Sequence, residues 1–352
     1  MRRPGYGISG RKFYSRALFI SIHQQRLAAE AGRAGRPEKG MTKLFPELAG
    51  KERNTLYIIG NGFDLFHGLL SKYIDFYNWL NKQDKKHEEF VRFLEEIFPY
   101  PGDIGKLLWS NFEEALGRYD LQHIENMLSL RIEENAQNGD SQENAMLSFL
   151  MVTDKIRMYL KEWVMSLEQA KVQRVFELSP ECTYLSFNYT LLLENIYKIP
   201  YDHVLHIHRS VSDPKPLIIG HNNSFPVDIF DEVDEKESKL KIIADVINSI
   251  EKNVFSQIYA NQAFFQSLNK VNNVVVIGHS MAGIDMQYYY EIFKHIKDFT
   301  NWYFVCHDGH SWYKYQRIVE HINKEPYVGV YDIKKRINSD NCYYKIIKTI
   351  PQ

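Results

Sequence analysis

Cysteine is scarce in this chain. Its 352 residues hold three, Cys182, Cys306 and Cys342, far apart and without a CxxC pair. That argues against a disulfide framework or a thiolate zinc site, and fits a reducing cytoplasm. Long hydrophobic runs are also lacking. The candidate nearest the N-terminus, ALFISI, falls far short of the roughly 20 apolar residues a membrane-spanning helix needs, so no membrane partner is expected. Neither sign of charge dominates: 43 Lys and Arg stand against 44 Asp and Glu. A nucleic-acid-binding protein would show a basic excess or stripe, so no nucleic acid is expected. With no acidic metal cluster either, a nuclease is disfavoured.

The charge is uneven only at the start. Residues 1–40 carry nine Lys/Arg against Glu30 and Glu38, a net of +7; the remainder carries 34 basic and 42 acidic residues, a net of −8. A basic, acid-poor segment of this kind suits a transit peptide or an arm for an anionic partner. The simpler expectation is that residues 1–50 form a disordered leader, with Met41 as the true start. Residues 51–352 would then form one α/β domain. What the chain has in plenty is aromatic residues, 14% of the total with 23 Tyr and 21 Phe, which are expected to fill a core.

LYIIG, from Leu56, is a short apolar run closed by glycine and predicts a buried strand. Over about residues 71–180 the spacing turns helical, as in WLNKQDKKHEEFVRFLEEIF, WSNFEEALGRY and MVTDKIRMYLKEWVMSLEQA. Strand-like runs then return: CTYLSF, HVLHIH, PLIIG, NVVVIG, WYFVCH and YYKIIK. Strands alternating with long helical stretches predict an α/β, Rossmann-like, mostly parallel sheet with a helical insertion. Ligands of such a sheet sit beyond the carboxyl ends of its strands.

Four segments place polar groups there. The first is GNGFDLFHG. Gly60 and Gly62 allow close backbone approach to a phosphate, and Asn61, Asp64 and His67 lie beside them. The third glycine of the dinucleotide fingerprint is missing, since Leu65 takes its place. A tight turn capped by Asp64 is the competing reading. The second is FNYT, where Asn188 either caps a helix or faces a ligand. The third is HVLHIHRSV. In a strand, His206 and His208 share a face. Two such histidines are a weak metal signal without a third ligand, and no metal is expected. A single strand-end histidine suits acid–base work, and His206 is the more natural core residue. His221 ends the next run. The fourth is VVVIGHSMAGID. It reads either as a nucleophile elbow around Ser280, with Asp308 and His310 or His321 as partners, or as a second glycine turn over a nucleotide. Gly278 and Gly283 serve both readings. The short remaining chain favours the second, with Ser280 and Asp285 binding hydroxyls.

Taken together and in order, NGFDLFHGLLSKYIDF, WSNFEEAL, FNYTLLLE, VLHIHRS, LIIGH and GHSMAGID resemble the bacterial abortive-infection AbiH family of phage-defence proteins. The motif order is in turn similar to that of sirtuin-like domains, some of which cleave NAD at the nicotinamide glycosidic bond. The resemblance implies a sirtuin-like fold with NAD or a related nucleotide as substrate, a nucleotide-binding sensor without turnover being the alternative. It implies that Gly60, Asn61 and Gly62 cradle the pyrophosphate, with Asp64 and His67 nearby. Asn188 would stand near the nicotinamide ribose and His208 would be the catalytic histidine. Gly278, Ser280 and Asp285 would flank the adenosine half. Trp109 and Glu113 match a motif without an assigned role. The chain departs from the pattern at Arg209, where glycine follows the histidine, and at Thr190, where aspartate follows Asn-Tyr. The expected partner is a nucleotide; a phage-derived trigger or partner protein and a homo-oligomer are compatible with the resemblance.

Overall fold

The computed structural model describes residues 45, 48–98, 108–137, 143–223, 225–226, 235–281, 283–298, 300–306, 327–332 and 344–348. The leader expected at 1–50 lies almost wholly outside them.

The first strand, β1 (Thr55–Ile59), is buried at every position. Its side chains alternate between two cores. Leu56 and Ile58 face one, built with Val274, Val276, Tyr288, Tyr289 and Trp302. Tyr57 and Ile59 face the other, with Phe63, Phe176, Tyr184, Leu193 and Tyr197. Cover on both faces is why the run is continuously apolar rather than alternating.

A short helix, α1 (Asn61–Phe66), follows β1 directly, and then comes the insertion. It contains α2 (Tyr73–Leu80), α3 (Lys85–Ile97), α4 (Phe112–Leu116), α5 (Leu121–Gln137), α6 (Glu143–Leu150) and α7 (Val152–Leu167). The long helical pattern expected from Trp79 breaks where Asp84 caps α3 by accepting from the Lys86 and His87 amides. The insertion has its own core of Phe76, Phe90, Trp109, Phe112, Phe149 and Trp163. There Trp109 stacks on Phe112, with ring centroids 4.8 Å apart and an angle of 8°. Trp109 is thus a packing residue, its indole N–H donating to Glu95.

The chain then returns to the sheet through β2 (Thr183–Ser186), α8 (Leu192–Asn195) and β3 (Val204–His206). After α9 (Glu235–Ser249), α10 (Val254–Ala260) and α11 (Gln262–Ser267) come β4 (Asn273–Ile277), α12 (Met286–His295) and β5 (Asn301–Cys306). Strands β6 (Tyr327–Asp332) and β7 (Tyr344–Lys348) complete the sheet. The order is β3-β2-β1-β4-β5-β6-β7. Every neighbouring pair through β6 is parallel, and β7 is antiparallel to β6. The order through β6 is that of the doubly wound nucleotide-binding sheet, whose direction of winding reverses between β1 and β4.

Two strand expectations need correction. PLIIG is not a strand of the sheet: Leu217 and Ile219 pack into the insertion core instead, and only His221 makes a bridge, to Glu251. HVLHIH ends as a strand at His206, and His208 lies in the turn beyond it. The pattern also gave no sign of β6.

The turns after β1 and β4 meet at the reversal point. The Gly60 amide donates to the Ile277 carbonyl at 3.0 Å, and the Gly62 amide to the Gly278 carbonyl at 2.8 Å. A Cβ on Gly60 would sit 2.4 Å from the His279 Cα, and one on Gly62 would sit 2.5 Å from the Gly278 Cα. Gly278 has φ +65°, and a Cβ there would lie 2.4 Å from the Phe63 amide nitrogen. Backbone meets backbone here, so neither side can give way. Gly278→Ala is expected to destabilise the protein by about 3 kcal/mol in urea unfolding, from clash and left-handed strain together. Gly283→Ala, with nothing within 4 Å of the added methyl, is expected to change stability by less than about 0.5 kcal/mol.

Candidate active site at the strand reversal

The contact between the two turns brings together groups that are distant in sequence. Asp285 precedes α12 at its N-cap, and His279 lies one residue beyond Gly278. His208 comes from the turn after β3, Lys252 from the loop after α9, and Glu113 from α4. The Lys252 ammonium is 2% exposed as a side chain and lies 3.2 Å from both Glu113 Oε1 and Asp285 Oδ1. His208 Nε2 is 3.7 Å from Asp285 Oδ1, and His279 Nε2 is 3.6 Å from Asp285 Oδ2. Lys252, His208 and His279 thus centre on one carboxylate, with Glu113 joined through Lys252. Tyr73, Tyr189 and Tyr288 are near enough to Glu113 and Asp285 that these carboxylates push their phenols further up, beyond the rise that burial causes.

The local backbone explains the convergence. The His208 turn is strapped down by the Ile218 amide, which donates to the His208 carbonyl at 3.0 Å. Arg209 adopts φ +65°, the left-handed conformation that glycine takes readily. Arginine thus occupies a position whose conformation suits glycine. On the other side, the Lys252 amide donates to the His221 carbonyl at 2.7 Å. Gly220 makes room for that pairing, since a Cβ there would lie 1.5 Å from the Ile250 carbonyl oxygen. His221 itself is a structural residue, with Nε2 bonded to the Ile247 carbonyl and Nδ1 accepting from the Asn223 amide.

Electrostatics assign a state to each group. Burial alone would raise the Asp285 carboxyl, but Lys252 and the two histidines hold it far below the usual range. Burial would lower Lys252, but Asp285 and Glu113 keep its ammonium charged. Glu113 is raised, because burial outweighs its share of Lys252. Burial, then Lys252, push His208 well below the ordinary imidazole value, so it is neutral near pH 7. His279 Nδ1 accepts from the Met281 amide at 3.0 Å, and the Tyr289 hydroxyl meets the same atom at 2.9 Å. That leaves the His279 proton on Nε2, toward Asp285. Among the described residues, His208 Nε2, Tyr288 Oη and Asn188 Oδ1 are buried without a hydrogen-bond partner, while Asp285 Oδ1 has the Lys252 ammonium 3.2 Å away. Such atoms mark a place for water or ligand.

Asn188 is held by a second network. Its Nδ2 donates to the Gly60 carbonyl at 3.1 Å and to Asp64 Oδ1 at 2.9 Å, and Thr190 donates to Asp64 Oδ2 at 2.8 Å. Asp64 is 2% exposed, and burial raises its carboxyl to about 7 despite those bonds and the nearby His206. Thr190 thus serves Asp64 in the interior.

The other expected site residues fall as follows. The amides of Gly60 and Gly62 are spent on the contact with β4's turn. Asn61 is exposed and closes on Ser71, its Nδ2 donating to the Ser71 carbonyl at 2.9 Å. His67 is not at a ligand rim. Its Nδ1 bonds the Phe63 carbonyl and its Nε2 the Tyr197 hydroxyl, among aromatic rings, and burial lowers it to about 4. His206 bonds the Asn188 carbonyl and Glu194, apart from His208, so the two do not form a metal pair. Asp285 sits beside His208 rather than at a separate half of the site. Ser280 is exposed, and the left-handed residues of its turn are Gly278 and Met281, not Ser280. Its hydrolase partners Asp308, His310 and His321 lie outside the described residues. Lys252 escaped the sequence reading altogether. A lone lysine after a helix reads as surface; only the apolar spacing around it hinted otherwise.

A recess of about 360 Å³ lies at the opposite, amino-terminal end of β1 and β2, lined by Phe45, Thr55, Tyr57, Arg174 and Cys182 among others. It lacks the clustered acid–base groups, and open α/β sheets bind ligands at the other end. Burial pushes the Cys182 thiol up to about 12, which makes it a poor nucleophile.

The fold and this site define a doubly wound α/β protein with a buried, charged centre at the strand reversal. The chain belongs to the family described as "Bacteriophage abortive infection AbiH", which matches residues 56–306. The match runs from β1 to the end of β5 and so includes every group of the site. Comparison with curated proteins and with solved structures finds no match. No helix among the described residues is long and apolar enough to cross a membrane, and no group of three or more His, Cys, Asp or Glu among them could hold a metal ion.

Two outcomes test the supporting geometry. The Asp64 carboxyl rises from an ordinary 3.8 to about 7, so its stabilising contribution is complete below about pH 4 and is lost as pH climbs toward 7. The stability of the wild type relative to Asp64→Asn should therefore fall over that window, by at most about 1.4 kcal/mol per pH unit, in parallel urea titrations. At the His208 turn, Arg209→Gly should change stability by less than about 1 kcal/mol, whereas the β-branched Arg209→Val should cost about 1–2 kcal/mol.

Proposed function

We propose that the protein is a cytoplasmic phage-defence effector that binds NAD or a related nucleotide at the strand reversal and cleaves its N-glycosidic bond. The observation that carries this reading is the neutral, buried His208, whose Nε2 has no hydrogen-bond partner and lies 3.7 Å from Asp285. It stands at the carboxyl ends of the strands, where a doubly wound sheet binds nucleotides. The resemblance to sirtuin-like NAD-cleaving domains supports the same reading.

The chemistry asks little of the protein. The pyridinium of NAD leaves as neutral nicotinamide, and positive charge develops on the ribose, as in other oxocarbenium-like displacements. Asp285 supplies fixed negative charge in a dry site, where it acts most strongly. Water forms the new bond to the ribose carbon as the carbon–nitrogen bond breaks. His208 Nε2 takes the proton that the water loses. The free Oδ1 of Asn188, its amide fixed by Asp64 and Gly60, orients the ribose or the water. The exposed Ser280 is a contact for the adenosine portion, and Asn61 would have to leave Ser71 to reach a phosphate. The products are nicotinamide, ADP-ribose and a proton.

The test is expression from Met41 and of the full chain in a bacterium, with and without phage, followed by mass spectrometry of NAD, nicotinamide and ADP-ribose. NAD should fall with matching rise of both products. His208→Ala and Asn188→Ala should each slow the loss by about 10²–10⁴-fold. Growth arrest with NAD unchanged would refute the reading.

A further inference from the structure

We propose that Lys252, held by Glu113, is a positioning residue that fixes the proton state of the His208–Asp285 pair. The proposal rests on the functional reading above for its catalytic meaning, but its physical content can be tested without turnover.

The argument starts from an arrangement that is costly to assemble. An ammonium group 2% exposed is unfavourable unless it is paired. Lys252 is paired twice, at 3.2 Å on each side, by carboxylates from separate parts of the chain. Glu113 belongs to the helical insertion and Asp285 to the turn after β4. Lys252 itself is aimed by its backbone, through the 2.7 Å bond to the His221 carbonyl. A structural salt bridge would need one carboxylate. The second is Asp285, which also faces His208 and His279.

The groups around the His208 ring are few. From the loop after α9 comes the Lys252 cation, and from the turn before α12 come Asp285 and His279. The backbone of Phe187 bonds the ring, and Tyr288 packs 5.7 Å away, centroid to centroid. Alone, the Asp285 carboxylate would draw a proton onto His208 and leave an imidazolium–carboxylate pair unable to accept another. Lys252 opposes this in two ways. It repels charge on the ring, and it satisfies Asp285 so that the carboxylate needs no imidazolium. The result is a neutral base beside an anion. Glu113 keeps the ammonium in place and prevents its turning to solvent.

The experiment is NMR titration of histidine-labelled full-length protein, the His208 ring being the signal lost in His208→Gln. In the wild type and in Lys252→Arg, His208 should remain neutral well below the ordinary imidazole range. In Lys252→Met it should titrate about one to two pH units higher. If Lys252→Met does not fold, the double variant Lys252→Met with Glu113→Gln removes the orphaned second carboxylate and should show the same upward shift. An unchanged His208 titration in a folded lysine-less variant overturns the proposal. Where NAD turnover is measurable, the acid limb of its pH profile should move upward by the same amount in Lys252→Met and stay in place in Lys252→Arg. A shifted titration in a protein that leaves NAD intact in phage-infected cells would uphold the role of Lys252 and refute NAD cleavage; NAD loss in those cells with an unshifted titration would do the reverse.

Discussion

The arrangement depends on a contact between two backbones. Where the turns after β1 and β4 meet, the Gly62 amide bonds the Gly278 carbonyl at 2.8 Å, and no side chain fits between them. That contact aligns the start of α1 with the turn that leads into α12. It therefore places Asp64 and its dependants Asn188 and Thr190 on one side, and His279 and Asp285 on the other. In many doubly wound proteins the glycines of the first turn leave space for a phosphate. Here they leave space for another loop, and the amides of Gly60 and Gly62 serve the fold.

Around this contact the protein buries more charge than its core needs. Two carboxylates, one ammonium and two imidazoles meet here, all but the half-buried Glu113 shut away from bulk water. Removing one partner from a buried pair typically costs about 3–5 kcal/mol, while replacing a whole pair by apolar groups is often harmless. Such a cluster is therefore poorly explained by stability alone. Its segments come from both the sheet and the helical insertion: Glu113 from the insertion, Lys252 from the loop after α9, and His208, His279 and Asp285 from strand ends. The insertion thus completes the site with Glu113 while keeping an aromatic core of its own.

Much of the framework was legible in the sequence. Short apolar runs such as LYIIG and NVVVIG suit strands covered on both faces, and helical spacing marked the insertion. The failures have physical causes. PLIIG has the composition of a strand, yet Leu217 and Ile219 find partners among helices, and local propensity cannot tell one apolar surface from another. His206 and His208 share a face only if the strand continues; the left-handed Arg209 belongs to a turn instead, and nothing in an arginine announces that. His67 followed a glycine turn and so looked like a ligand group, but it is consumed by the Phe63 carbonyl and the Tyr197 hydroxyl.

The sequence by itself determined the class of fold and the glycines at the two turns, because these follow from local periodicity and from the steric freedom of glycine; Asn188 and His208 were singled out by the resemblance. Only the tertiary structure decided which polar residues meet. Lys252 lies 139 residues from Glu113 and 33 from Asp285 in the sequence, and on its own Lys252 reads as surface. Charge state is a property of surroundings, so the neutrality of His208, the raised Asp64 and the anionic Asp285 emerge only once burial and neighbours are known.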